Sequence, residues 1–152
     1  RVVDPMARSF IALTGADKTL GEWEKGEVPD PRGDGVFMAA ELALLELTGT
    51  HLVVLSACQT GLGEVVEGEG VFGMKRSLRQ AGARNLITTL WNISDEGTGE
   101  VMEQFYREMT SGIEPGQALA LTQRKLLRRY ADEQSIGAAL YLVGPFIADE
   151  IQ

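Results

Sequence analysis

The chain reads as an α/β protein with a mostly parallel sheet and helices on both faces. Two short apolar, β-branched runs, residues 51–57 and 84–91, have the composition of strands buried on both sides. Amphipathic segments at helical spacing alternate with them, beginning near Gly70, Ser94 and Pro115. Glycine-marked turns separate the segments, and no repeat, linker or low-complexity tract interrupts the alternation. The order strand, helix, strand, helix, strand, two helices, strand then implies a parallel sheet wrapped by helices.

Residues 9–13 form a short strand candidate, ended by Thr14, Gly15, Ala16 and Asp17. Residues 18–35 are polar and rich in Gly and Pro, and are predicted to be a long mobile loop. Residues 38–47 are dense in Ala, Leu and Glu and predict a helix, closed at Thr48 and Gly49. Residues 51–57 form the next strand. Val71, Met74 and Leu78 recur at helical spacing within 70–81, and Gly82 supplies a C-terminal stop. Residues 84–91 are a second buried strand. Ser94 is a helix cap, with Asp95 and Glu96 in a first turn where carboxylates suit the dipole. Val101, Met102, Phe105, Tyr106 and Met109 make that helix's apolar stripe, and Gly112 ends it. Pro115 opens the following helix at the favoured first position. Leu119, Thr122, Leu126 and Leu127 face inward, and Arg124, Lys125, Arg128 and Arg129 form a solvated, dipole-favoured end. Residues 140–143 are the last strand, closed by Gly144 and Pro145.

A length of 152 residues suits one domain with one core. Hydrophobic content of 44% and charged content of 24% are those of an ordinary globular protein. No apolar run approaches the ~20 residues that cross a bilayer. A net charge of -8 argues against nonspecific nucleic-acid binding, which rests on basic surface. A single Cys excludes an internal disulfide and fits a reducing, cytoplasmic setting. One His and one Cys do not make a metal site, and no cofactor is expected. Gly61, Gly63 and Gly68 miss the spacing of a dinucleotide loop, and no Lys-Ser/Thr pair follows a glycine loop.

The single Cys, Cys58, is the candidate site. It ends an apolar strand and precedes a glycine-spaced loop, Gly61, Gly63, Gly68 and Gly70. Open α/β sheets place their chemistry in the crevice at carboxyl strand ends. A thiol there becomes a nucleophile when a base or a positive dipole lowers its pKa. The competing reading is a small buried hydrophobe.

Ser56-Ala57-Cys58-Gln59-Thr60-Gly61, then Glu67-Gly68-Glu69-Gly70, Ala81-Gly82-Ala83, Leu90-Trp91 and Asp95-Glu96 together resemble the CHAT family of cysteine peptidases. The resemblance runs from about Pro5 to about Gly144. It implies a caspase-like three-layer sandwich related to separase, a Cys-His dyad with Cys58 as nucleophile, and cleavage of protein or peptide substrates. It also implies an association with tetratricopeptide repeats. Family members carry the base in a His-Gly pair on an earlier strand, which would fall shortly before Arg1. The chain is therefore expected to be the carboxyl-terminal part of one peptidase domain, with that strand supplied from outside. Several relatives carry an aromatic residue where this chain has Ile136-Gly137-Ala138.

His51 is the only histidine, seven residues before Cys58 on the same predicted strand. At ~3.3 Å per residue it stands on the order of 20 Å away, beyond the reach of a general base. Asp95 follows the second buried strand, so its position falls at the same sheet edge as Cys58. The resemblance to separase implies that Asp95 binds a basic side chain at the cleaved position. Glu67 and Glu69 would add negative potential at the rim, and Gln59 belongs to the same substrate-binding context by shaping the strand end. Two other functions fit the residues: a non-catalytic interaction module on the same fold, and a redox-sensing thiol at Cys58.

Overall fold

In the computed structural model, which describes residue 6 and residues 9–30, 32–55 and 69–150, the order of elements is mixed α/β. The described residues fall into two compact units. One runs to Thr48 and takes in the helix that ends at Ala81; the other holds Gly49 to Leu55 and everything from Ala83 onward.

The first unit is built on a two-stranded antiparallel pair, β1 (Phe10–Ala12) and β2 (Val36–Met38), with Phe10 opposite Met38. Helix α1 (Ala16–Glu24) occupies the first half of the segment expected to be a long mobile loop. Ala16 and Thr19 are buried along its inner side, and Leu20 packs with Phe10 and Val36. The Thr19 hydroxyl donates to the Asp34 carbonyl at 2.6 Å, and the Leu13 amide donates to the Gly35 carbonyl at 2.7 Å. Side chain and main chain thus tie the helix to the return strand. Gly35 makes that return: its φ is +69°, and a Cβ would stand 2.4 Å from the Ala16 nitrogen. Only glycine fits so close an approach at positive φ. Helix α2 (Ala39–Leu42) is shorter than the segment 38–47 predicted, because the chain turns after Ala43. The Met38 amide donates to Glu41 at 2.8 Å, which anchors its start. Helix α3 (Glu69–Ala81) agrees with the predicted 70–81, with Met74 and Leu78 buried. Gly82, at φ +99°, ends it as expected.

The second unit holds a three-stranded sheet in the order β3-β4-β5. Strands β3 (Leu52–Leu55) and β4 (Asn85–Thr89) are parallel, as their β-branched composition predicted, with Leu55 opposite Thr88. Strand β5 (Phe146–Glu150) is antiparallel to β4, with Phe146 opposite Thr89. Among the described residues the sheet is therefore mixed. Residues 140–143, read as the last strand, lie instead in helix α6 (Ile136–Val143). The Ser135 hydroxyl caps that helix by accepting from the Ala138 amide at 3.1 Å. The Gly144 amide closes it onto the Leu140 carbonyl at 2.9 Å.

Helices α4 (Asp95–Met109) and α5 (Pro115–Glu133) start where Ser94 and Pro115 predicted. Val101 and Phe105 of α4, Leu119 and Leu126 of α5, and Val143 and Phe146 meet Ile87 of β4 in one core. Burying seven such side chains removes the bulk of their apolar surface from water, each worth roughly 1.5–3 kcal/mol. Tyr106 departs from the predicted stripe and stays half exposed, at 49%. The basic run of α5 is not at a helix end. Lys125 pairs with Glu108 at 2.6 Å and Arg129 pairs with Glu100, so both cations link α5 to α4. The Gln123 amide donates to the Val143 and Phe146 carbonyls at 3.1 and 2.8 Å, fastening α5 to the turn between α6 and β5.

Candidate functional site

Parallel pairing puts the carboxyl ends of β3 and β4 side by side. Cys58 comes three residues after Leu55, and both Cys58 and Gln59 lie outside the described residues. Glu69 is the first residue of α3, and its side chain lies outside the described ones, as does Glu67.

Asp95 is the first residue of α4 and is exposed. The preceding Ser94 has extended backbone, and its hydroxyl accepts from the Gly97 amide at 3.1 Å. That satisfies one of the free amides of the first turn and fixes where Asp95 emerges. Its carboxylate has no ion pair among the described residues.

The segment 90–94 that joins β4 to α4 is braced by α6. The Leu90 amide donates to the Pro145 carbonyl at 3.0 Å. The Trp91 indole N–H donates to the Tyr141 carbonyl at 3.0 Å, and the Tyr141 hydroxyl donates to the Asn92 carbonyl at 2.8 Å. Each aromatic ring is thus held by the main chain next to the other. Gly144 lies behind them: a Cβ there would meet Trp91 Cη2 at 3.6 Å and the Leu140 oxygen at 2.5 Å. A Cβ at Gly97 would meet Leu142 at 3.0 Å, so α6 also presses on the first turn of α4. Around this brace several large apolar side chains face solvent: Leu90 at 54%, Trp91 at 40%, Leu140 at 53% and Tyr141 at 55%. Sequence reasoning missed this brace because it read 140–143 as a strand. Ser135 three residues before Ala138, with Gly144 beyond, was the helix signal available.

His51 lies at the opposite end of the sheet. It immediately precedes β3, is half exposed, and its Nε2 is 3.6 Å from a Glu114 carboxylate oxygen. Its carbonyl accepts from the Asn85 side chain at 2.9 Å, at the amino end of β4. An open cleft of about 660 Å³ is lined here by His51, Arg84, Glu114, Gln117 and Asp149 among others. The strand of Leu52–Leu55 thus begins beside His51 and runs away from it.

Among the described residues, no group of three or more His, Cys, Asp or Glu is arranged to hold a metal ion. No described helix is long and apolar enough to cross a membrane. No curated protein and no solved structure is matched by this sequence. A family model described as the CHAT domain matches residues 2–145, nearly the whole length, and the chain belongs to the CHAT domain family.

Proposed function

We propose that this chain is the nucleophile-bearing part of a cysteine endopeptidase that cuts protein substrates after a basic residue. The observation that carries the reading is the parallel register of β3 and β4, in a chain of the CHAT family. The carboxyl ends of β3 and β4 lie side by side, and Cys58 and Asp95 follow those ends in the sequence, which supports a shared site.

In this reading the Cys58 thiolate attacks the scissile carbonyl, and an oxyanion forms. Backbone amides, that of Cys58 among them, stabilise the oxyanion because they are already oriented when charge develops. The C–N bond then breaks, and a histidine protonates the departing amine. Water hydrolyses the remaining thioester and restores the thiol. The histidine comes from outside residues 1–152, because His51 sits at the far end of β3. The partners are the rest of the same domain and the peptide substrate, with tetratricopeptide repeats as the associated module of the family. Asp95 receives the guanidinium or ammonium of the cleaved residue, with Gln59 and Glu69 as further substrate contacts.

The test is Cys58→Ala in the full-length protein, combined with an electrophilic peptide probe. Loss of all proteolysis, with circular dichroism unchanged and probe labelling abolished, is the expected result. Turnover near the parent level in that variant overturns the peptidase reading and leaves a non-catalytic module. Reversible oxidation of Cys58 without peptide turnover would identify a redox-sensing thiol instead.

A further inference from the structure

Large apolar side chains at a surface cost little singly but are informative when they are both clustered and fixed. Trp91 and Tyr141 are fixed. Their polar atoms are spent on the Tyr141 and Asn92 carbonyls, so the rings cannot turn away without breaking two hydrogen bonds. Both rings remain substantially exposed, and Leu140 extends the same apolar face along α6. Core packing does not require this arrangement, since Val143, Phe146 and Ala139 already supply the buried side of α6 and its turn. The ledge sits at the carboxyl end of β4, four residues before Asp95 in the same braced segment.

We infer that the Trp91–Tyr141–Leu140 ledge is the subsite for an apolar side chain of the substrate, within two residues of the basic side chain assigned to Asp95. The inference rests on the peptidase reading for its occupant. The occupant is an extended peptide carrying a cation and an aliphatic group side by side. Charge complementarity favours it: Asp95 and Glu96 are both exposed next to the ledge, and a peptide cation matches them. The rigid rings favour it too, because pre-ordered aromatics bind apolar groups without an ordering cost at the moment of binding. Specificity for such peptides then has two parts, a carboxylate for charge and an aromatic shelf for shape.

The experiment is calorimetric titration of the full-length protein carrying Cys58→Ala with two hexapeptides. In one, Arg is flanked on both sides by Leu; in the other, by Ser. Burying one Leu side chain on the ledge should make the Leu peptide bind about tenfold tighter. Leu140→Ser should cut that preference to twofold or less while leaving affinity for the Ser peptide unchanged. Leu140→Thr, a milder change at the same half-exposed position, is the second variant should Leu140→Ser fail to fold, with the same loss of preference expected. Equal affinity for the two peptides, or no binding of either, overturns the inference. A dimer seen by sedimentation and dissolved by Leu140→Ser also overturns it, in favour of a second copy on the ledge. If the parent protein cuts no peptide but keeps the tenfold preference, the peptidase reading fails and the subsite stands.

Discussion

His51 and Glu114 face each other across 3.6 Å at the amino end of β3, the end of the strand away from Cys58. Four residues of strand, at ~3.3 Å each, already separate His51 from Leu55 by about 13 Å. A general base works within hydrogen-bond reach of its nucleophile. An exposed contact of this kind contributes little to stability. His51→Ala is therefore expected to leave peptide turnover by the full-length protein within twofold of the parent. Purified residues 1–152, which contain no other histidine, should show no steady cleavage. A thiol-dependent activity in that fragment, lost on His51→Ala, would make His51 the base after all.

Acid should weaken the α4–α5 interface. The Glu108 carboxyl is held below its ordinary value by hydrogen bonds from Lys125 and then Gln104. The Glu100 carboxyl is lowered chiefly by the Tyr130 hydroxyl and also by Arg129, against the opposing effect of burial. A carboxyl depressed in the folded state favours folding above its unfolded value, near 4.5 for these groups. That contribution fades as pH falls below 4.5 and through the lowered folded value. Melting temperature measured from pH 7 to pH 3 should fall through this window. Glu108→Gln should melt lower than the parent at pH 7, and the gap should narrow toward pH 3. A gap that is constant with pH would show that Glu108 acts through packing alone.

Thr122 is fully buried on the inner side of α5, and its hydroxyl has no hydrogen-bond partner among the described residues. An unpaired buried hydroxyl costs about 1–3 kcal/mol relative to an apolar group of the same shape. Val has nearly the shape of Thr and a comparable helix propensity. Thr122→Val is expected to raise unfolding stability by about 1 kcal/mol, read from urea denaturation at unchanged m-value. A loss of stability would mean that the hydroxyl finds a partner in solution.

What could be read in advance follows from how local each signal is. Ser94, Pro115 and Gly82 mark helix ends by their own backbone chemistry, and α4, α5 and α3 begin or stop there. Helix α1 was missed because Gly21 and a polar sequence mask its stripe, while the bond from Thr19 to the Asp34 carbonyl and the close approach of Gly35 to Ala16 hold it. An apolar run such as 140–143 carries no period that separates strand from helix. Strand β5 was missed because Asp149 and Glu150 end it with charge, although all five of its residues pair with β4. At the site, Asp95 was legible through its cap. The bond from Trp91 to Tyr141 joins residues 50 apart in sequence, and no local pattern encodes it.

Asp95 is expected to set the preference at the cleaved position. Its place is fixed by the Ser94 cap and by Leu142 against Gly97, so its carboxylate emerges at a constant point from the end of β4. It is exposed and has no cation among the described residues, in contrast to Glu100 and Glu108, whose charges are already used between helices. A free carboxylate at the edge shared with β3 can pair a guanidinium through two parallel hydrogen bonds, and desolvation by the bound peptide strengthens that pair. The alternative role is to complement the dipole of α4, worth about 0.3–1 kcal/mol of stability. The two roles separate cleanly in Asp95→Asn, which keeps shape and removes charge. For substrate binding, kcat/KM for Arg peptides should fall by at least tenfold while cleavage of peptides with an apolar residue there is unchanged. For the dipole alone, the melting temperature should drop slightly and selectivity should stay as it was. Library profiling of the full-length enzyme and the variant decides between them. A parent preference for Asp at the cleaved position would remove Asp95 from the substrate site altogether, since like charges would then face each other.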